Sequence, residues 1–430
     1  MGDRYDVVVA GSGPSGAVAS LELARAGARV LLVDPSPFPR DKACGDLIGP
    51  RGVRLLDELG VALPGALRVG DLVVVTPRGR ALRLPWPAGR DYPAHVLAAP
   101  REMLDARLRE AALGAGAEPC LARVSAVSGR AVRLSTGRTI DADLVVGADG
   151  AMSRVAASAG LVRAPEVLWG MAVRAYVDAA VEHPLIVFWS PQPGRTLPGY
   201  GWLFPGPDGR ANVGLGMGVG ARRARARAVA GLLPAFARAL RRAGYLGDAP
   251  IDEGSRRGGW IKLGMTGTLP ASGNVLLCGD AAGLVNPLQG EGMAEAMASG
   301  RAAAAAILAG PAGAAVSYRR TLVERYARFQ SAAAALHAAA LARPGAIGRA
   351  GAALDVPGVG RALAGGWAIW WSDLLDGAPR GPATAVATAM AAAAGLGTAR
   401  SATRRRVLAA THGDRTVKPL SGGWAGSDLP

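Results

Sequence analysis

Short apolar runs that end in glycine-rich turns set the rhythm of the chain. Tyr5-Asp6-Val7-Val8-Val9-Ala10 is β-branched and apolar, which predicts a buried parallel strand. It passes straight into Gly11-Ser12-Gly13-Pro14-Ser15-Gly16, then a helical stretch from Ala17 to about Ala26 that Gly27 closes as a C-terminal cap. A second apolar strand, Arg29–Val33, stops at Asp34. The same grammar returns later. A strand within Thr139–Arg154 ends at Gly147-Ala148-Asp149-Gly150, and the strand Gly273–Cys278 runs into Gly279-Asp280-Ala281-Ala282-Gly283. Asn286-Pro287-Leu288-Gln289-Gly290-Glu291-Gly292-Met293 then opens an Ala-rich helix through about Leu308, and Pro100–Leu108 reads as a helix start. Val167–Val177 and Leu185–Ser190 have strand character. Tyr200, Trp202 and Phe204 alternate along an extended segment, so they share one face.

These elements predict an α/β protein with a discontinuous, doubly wound domain from residues 1–70, 99–160 and 271–330. Residues 71–98 and 161–270 are expected to form an antiparallel-sheet substrate domain over it. Residues 331–430 read as a helical, Ala-rich region with breaks at Pro344, Pro357, Gly365 and Gly366, and Trp367, Trp370 and Trp371 either line a pocket or pack in its core. After about Arg400 the chain turns basic and then Gly/Ser-rich, so a mobile end is expected.

Composition changes this picture little. At 430 residues with half of them hydrophobic, the chain is globular and large enough for more than one core. The net charge of +16 comes almost wholly from Arg, with Lys42, Lys262 and Lys418 as the lysines, alongside an excess of Ala and Gly. The Arg222, Arg223, Arg225, Arg227 cluster and Arg404–Arg406 carry no interleaved aromatics, which argues against a nucleic-acid partner. Attraction to anionic lipid stays open. Cys44, Cys120 and Cys278 have no paired spacing, and His95, His183, His337 and His412 are scattered, so neither a disulfide framework nor a metal site is indicated. No strongly apolar stretch of membrane-spanning length occurs, and the first strand starts too early for a signal peptide. A cytoplasmic protein, peripheral to a membrane at most, is the expectation.

The glycine turn has a defined chemistry. Gly11 permits the tight turn, Gly13 lets backbone approach a pyrophosphate, and Gly16 allows close helix–strand packing. The helix N-terminus offers free N–H groups to the phosphates, and Asp34 can accept ribose hydroxyls. This motif alone does not separate NAD from FAD. The later segments do: Asp280 is placed for a ribityl hydroxyl, the helix opened by Met293 points its positive dipole end at the flavin, and Arg101 can reach the cofactor. Together these segments resemble the flavoprotein superfamily of para-hydroxybenzoate hydroxylase, squalene epoxidase and geranylgeranyl reductases, from Tyr5 to about Leu308. The resemblance implies a glutathione-reductase-like, Rossmann-type FAD domain. It also implies that Gly11, Gly13, Ser15, Gly16, Asp34, Lys42, Cys44, Gly45, Arg101, Gly279, Asp280, Pro287, Gly290, Gly292 and Met293 line the FAD. One position departs: Ala156 stands where the family pattern after the Asp-Gly turn carries Arg, which puts a direct role in NADPH use in doubt, even with Arg154 nearby.

Two signatures narrow the branch. Lys42-Ala43-Cys44-Gly45 resembles the Lys-x-Cys-Gly signature of geranylgeranyl, polyprenyl and menaquinone reductases, and a thiol beside Lys42 or Arg40 is expected to have a lowered pKa. Tyr200-Gly201-Trp202-Leu203-Phe204-Pro205 followed by Gly214-Leu215-Gly216 matches the same group's aromatic pattern. The resemblance implies C=C reduction of a polyprenyl or other apolar substrate by reduced FAD. Cys44 and Tyr200 are the candidate catalytic groups, and Tyr200, Trp202 and Phe204 line the substrate. The electron donor stays open among NAD(P)H, ferredoxin and reduced flavin. The alternative is an FAD-dependent monooxygenase working through a C4a-hydroperoxide, and a non-catalytic flavin redox protein is a third. A halogenase lacks support, because Trp367-Ala368-Ile369-Trp370-Trp371 does not match its Trp-x-Trp-x-Ile-Pro signature.

Overall fold

The computed structural model describes residues 4–86, 89–189, 199–219, 223–342, 351–372 and 374–398. Arg222, Arg404–Arg406, His412, Lys418 and the basic end of the chain lie outside them.

The first sheet is built on β1 (Arg4–Ala10) and β2 (Val30–Asp34), with β8 (Glu118–Leu121), β11 (Thr139–Gly147) and β18 (Val275–Leu277). Its order is β17-β18-β11-β1-β2-β8, where β17 is Ala271–Ser272, and the four pairings from β18 across to β8 are parallel. A small hairpin of β9 (Val124–Ser128) and β10 (Ala131–Leu134) hangs antiparallel on β11. Parallel strands buried on both faces explain the near-continuous apolar runs: Val7 to Ala10, Val30 to Val33 and Val145 to Val146 are all buried. Helices α1 (Pro14–Arg25), α3 (Arg101–Gly114) and α6 (Met293–Ala309) pack onto this sheet and one another.

The second sheet has seven strands in the order β16-β12-β15-β14-β13-β5-β6. These are β5 (Asp71–Val75), β6 (Ala81–Pro85), β12 (Leu168–Val177), β13 (Leu185–Val187), β14 (Gly199–Pro205), β15 (Ala211–Gly218) and β16 (Ile251–Leu263). Its pairs are antiparallel except β13 with β5, which run parallel because the chain returns to β5 only after a long excursion through the first sheet. One face packs against α5 (Arg223–Arg242), whose Val229, Leu233, Phe236 and Leu240 are buried. A Cβ on Gly201 would lie 2.2 Å from the Phe236 ring, so that helix sits flush on β14. The opposite face carries Tyr200, Trp202 and Phe204 toward the first sheet. A third sheet of β3 (Leu47–Ile48), β4 (Leu67–Val69) and β7 (Val96–Ala98) closes the side of the junction.

Beyond α6 come α7 (Ala314–Leu322), a π-turn at Val323–Ala327, α8 (Arg328–Ala342), α9 (Val359–Trp371) and α10 (Pro382–Thr398). The breaks expected at Gly365 and Gly366 are absent: α9 runs through both. Missing side chains serve packing here. A Cβ on Gly365 would meet Ala383 at 3.0 Å, and one on Gly366 would meet Val386 at 2.5 Å, so the two glycines let α10 approach α9 closely. The region is moored to the second sheet, where the Thr76 hydroxyl donates to Asp355 at 2.5 Å and Arg361 donates to the Arg83 carbonyl at 3.2 Å. No helix among the described residues is long and apolar enough to cross a membrane.

Candidate functional site

The glycine turn after β1 is set by three close approaches. Gly11 has φ 99°, and a Cβ there would sit 2.3 Å from the Ala148 carbonyl oxygen, so the Asp-Gly turn after β11 lies against it. A Cβ on Gly16 would collide with the Gly11 carbonyl at 1.8 Å. Gly300, on α6, takes the Ser15 carbonyl into the same kind of contact at 2.2 Å, locking α6 to the start of α1. Gly13 differs: its nearest side-chain atoms to an added Cβ are the Arg40 and Arg101 guanidinium nitrogens at 3.8 and 4.0 Å. The loop therefore presents open backbone under two cations, and the Ser12 hydroxyl is buried with no hydrogen-bond partner among the described residues. Asp34 accepts the Ser12 and Ser36 backbone N–H groups at 2.8 and 2.9 Å.

Arg101 begins α3 and is 5% exposed. It is held by a bidentate pair with Asp105 at 2.8 and 2.7 Å, and Arg40 meets Asp105 from the other side at 3.0 Å. Two guanidiniums on one fully buried carboxylate leave net positive charge facing Gly13, which suits a diphosphate. Sequence reading set Arg40 beside the Cys44 thiol and left Asp105 without a role, because nothing local to either announces the other as its partner.

The Lys42–Asp46 loop lies where the two large sheets meet. Desolvation lowers the Lys42 ammonium pKa, opposed by the Asp280 carboxylate. The Cys44 thiol stands 4.0 Å from the Met293 sulfur at the start of α6 and accepts the Asp46 backbone N–H at 3.4 Å. The expected lowering of its pKa is corrected: burial pushes the thiol up, and Arg101 only partly offsets this. Arg40 is engaged with Asp105.

The aromatic wall follows from cross-strand register. On β12, β15 and β14 the rows are Tyr176–Asn212–Phe204, Arg174–Gly214–Trp202 and Ala172–Gly216–Tyr200. The two glycines make room for Trp202: a Cβ on Gly214 would sit 2.2 Å from its indole, and one on Gly216 would sit 3.6 Å from it. Trp202 then touches Tyr200 and Phe204, with ring centroids 6.2 Å apart in each case, and its N–H donates to Asn212 at 2.9 Å. The Tyr200 hydroxyl donates to the Gln289 carbonyl, and burial pushes its pKa up. Asn286 organises that loop, its side chain accepting the Leu288 and Gln289 N–H groups at 2.9 and 3.3 Å. On α8, His337 Nδ1 donates to the Pro287 carbonyl at 2.5 Å.

All of this opens on one cavity of about 900 Å³. Gly13, Ser15, Lys42, Cys44, Gly45, Arg101, Asp280, Pro287, Gly290, Gly292, Met293, Tyr200, Trp202 and Phe204 all line it. Among the predicted residues, Gly11, Gly16, Asp34 and Gly279 are not on its wall; the three glycines shape the backbone behind it. Leu72, Ile186, Phe188, Leu354 and Trp367 make its far end apolar. Trp367 and Trp370 do both things foreseen for them: they line the cavity, and they pack on Phe188 and Phe329 with centroids at 5.1 and 5.8 Å. Asp149 does not face the cofactor path. It accepts the Ser153 hydroxyl and the Arg154 and Val155 N–H groups, capping α4 (Arg154–Ser158), where Ala156 is fully buried and Arg154 is exposed.

A sequence profile for an FAD binding domain matches residues 4–200. The menaquinone reductase of Mycolicibacterium smegmatis is 37% identical over 332 residues, 72% of this chain and 78% of its own. The geranylgeranyl diphosphate reductase of Rhodobacter capsulatus is 32% identical over 323 residues, 71% of this chain and 75% of its own. This chain belongs to the geranylgeranyl and menaquinone reductase family. It is an FAD-dependent oxidoreductase. The crystal structure of a geranylgeranyl bacteriochlorophyll reductase-like protein from Thermoplasma acidophilum superposes with a TM-score of 0.66 over 78% of this chain and 87% of that one. At 22% identity that match speaks to the fold. The reductase-family site here fits FAD on structural grounds: open backbone at Gly13, unpartnered Ser12, cationic Arg40 and Arg101, and Asp280 facing the same cavity.

Proposed function

We propose that the chain reduces carbon–carbon double bonds of a polyprenyl or similarly apolar substrate. The observation that carries this reading is the continuity of one cavity from the Gly13 backbone, past Cys44 and Tyr200, to the apolar end at Leu72, Phe188, Leu354 and Trp367. In it, Gly13, Ser15, Arg101 and Asp280 would hold the cofactor, with Arg40 joining Arg101 at the diphosphate and Asp34 at the ribose. Reduced FAD, when bound, supplies the hydride. The chain's part is placement and protons. Apolar walls orient a hydrocarbon and exclude water, which an unactivated alkene requires because it is a poor electrophile. Cys44 and Tyr200 both keep their protons at neutral pH, since burial raises each. Either is a proton donor beside the cavity, and Cys44 is the better acid of the two chemically. Relatives named for menaquinone and geranylgeranyl diphosphate support this substrate class. Such substrates reside in or at bilayers, so this reading has the protein meet a membrane surface while it loads.

Stopped-flow spectroscopy of the anaerobically reduced holoprotein tests the proposal. Mixing with a menaquinone or geranylgeranyl substrate should reoxidise the flavin without oxygen and yield a saturated prenyl unit by mass spectrometry. Turnover only with oxygen, giving an oxygenated product, would establish the monooxygenase alternative instead.

A further inference from the structure

The Cys44 loop follows the nucleotide sheet in sequence, yet the aromatic sheet holds it. Asp41 pairs with Arg174 and with Arg257, the latter at 3.2 Å, and Arg174 also donates to the Lys42 carbonyl at 3.4 Å. Asn212 Nδ2 donates both to the Cys44 carbonyl and to Asp46 Oδ2 at 2.8 Å. The Tyr176 hydroxyl donates to the same Oδ2 at 2.6 Å. Trp202 fixes the orientation of Asn212 from behind. Asp46 itself is a non-glycine residue at φ 61°, a conformation that costs about 1–2 kcal/mol and persists only where surroundings enforce it. It is 5% exposed, its second oxygen has no partner among the described residues, and its backbone N–H points at the Cys44 sulfur.

Asp46 is thus a buried carboxylate on the cavity wall, two residues from the thiol and held there by strands of another sheet. We propose that Asp46 is a positioning residue for Cys44: anchored by Tyr176 and Asn212, it holds the thiol at the cavity wall, and its negative charge opposes the charge of Arg101 there. The proposal rests on Cys44 being a working group of the cavity. Charged and titratable groups act on the pair from each packed element: Arg101 on α3, and Arg174 and Tyr176 on β12, while Tyr200 on β14 feels both Cys44 and Glu291. Burial raises the Asp46 carboxyl to about 6, against the hydrogen bonds from Tyr176 and Asn212 and the charges of Arg174 and Arg101. It is therefore negative at neutral pH. Its charge is one of the influences that raise the Cys44 thiol, after burial, while Arg101 and the Asp46 backbone N–H lower it.

The experiment is alkylation of the FAD-loaded protein by iodoacetamide across about pH 7 to 11.5, scored on the Cys44 peptide by mass spectrometry so that Cys120 and Cys278 do not contribute. The midpoint of the rate profile reports charge, and its plateau reports access. Asp46→Asn should lower the midpoint by about one unit, which is about tenfold faster alkylation at any pH below it. An unmoved midpoint overturns the proposal. Tyr176→Phe keeps the charge and removes one anchor, so its midpoint should hold while its plateau rises; a plateau equal to that of the unsubstituted protein overturns the positioning role, whether or not Asp46→Asn folds. Neither readout needs turnover, so failure to reduce any prenyl substrate would count against the alkene-reduction reading alone.

Discussion

Gly214 shows how one missing methyl shapes this site. Trp202 lies across β15 only because Gly214 has no side chain, and a methyl there would also meet the Val173 carbonyl at 2.6 Å. Gly214→Ala should displace the indole, break its hydrogen bond to Asn212 and cost about 1–3 kcal/mol, read as a lower denaturant midpoint with altered tryptophan emission. Asp46 carries the pH prediction. Its folded pKa of about 6 lies above the model-peptide 3.8, so the folded state binds the extra proton between those values and stability falls as pH rises through that window. Asn at this position does not titrate. The melting temperature of Asp46→Asn minus that of the unsubstituted protein should therefore grow as pH rises from about 4 to 7; a flat difference would contradict the raised pKa. Lys262 is a buried cation of another kind, pushed down to about 8 by desolvation and donating to the Ala281 carbonyl at 2.5 Å, which ties β16 to the turn that carries Asp280.

At the scale of elements, the start of α3 is the most exposed to damage by single changes. Asp105 is fully buried and is the carboxylate shared by Arg101 and Arg40. Asp105→Ala leaves two guanidiniums against each other, one of them buried, and should cost about 3–5 kcal/mol of stability. It should also release Arg101 from its set orientation, so the dissociation constant for FAD should rise; equilibrium unfolding and flavin fluorescence titration measure the two effects separately. The α9–α10 pair predicts the opposite division. Gly366→Val would drive Val386 and α10 away from α9 and disturb Trp367, one residue on, without touching the glycine turn. Flavin content should stay as it was while KM for a prenyl substrate increases, and an unchanged KM would argue that α9 is not a wall of the substrate site.

At the scale of the whole molecule, the site is a seam. The nucleotide sheet contributes the glycine turn, Arg101 and Asp280. The seven-stranded sheet contributes Tyr200, Trp202 and the anchors of the Cys44 loop, and α8 and α9 contribute His337 and Trp367. Charge is concentrated at the first contributor and apolar surface at the last, which orders the cavity from a polar end to an apolar one. Trp367→Ala should therefore weaken longer prenyl substrates more than short ones, measured as the ratio of kcat/KM across a series of chain lengths.

What the sequence determined by itself is what short-range physics writes locally. Parallel strands buried on both faces must be apolar runs, and the turn itself demands glycine at Gly11 by its positive φ and at Gly16 by its contact with the Gly11 carbonyl. Tyr200, Trp202 and Phe204 share a face because strand period is two. These features made the FAD-binding fold, the reductase signatures and most of the cavity lining legible. Tertiary structure alone decided the rest. The Cys44 thiol is raised, not lowered, because its surroundings are dry and the Asp46 carboxylate lies beside it, which outweigh Arg101. Asp46, Asn212 and Tyr176 meet across separations of up to 166 residues, and Gly366 is a contact surface within α9, not a helix break. Desolvation and long-range pairing depend on which surfaces are brought together, and no local pattern encodes that.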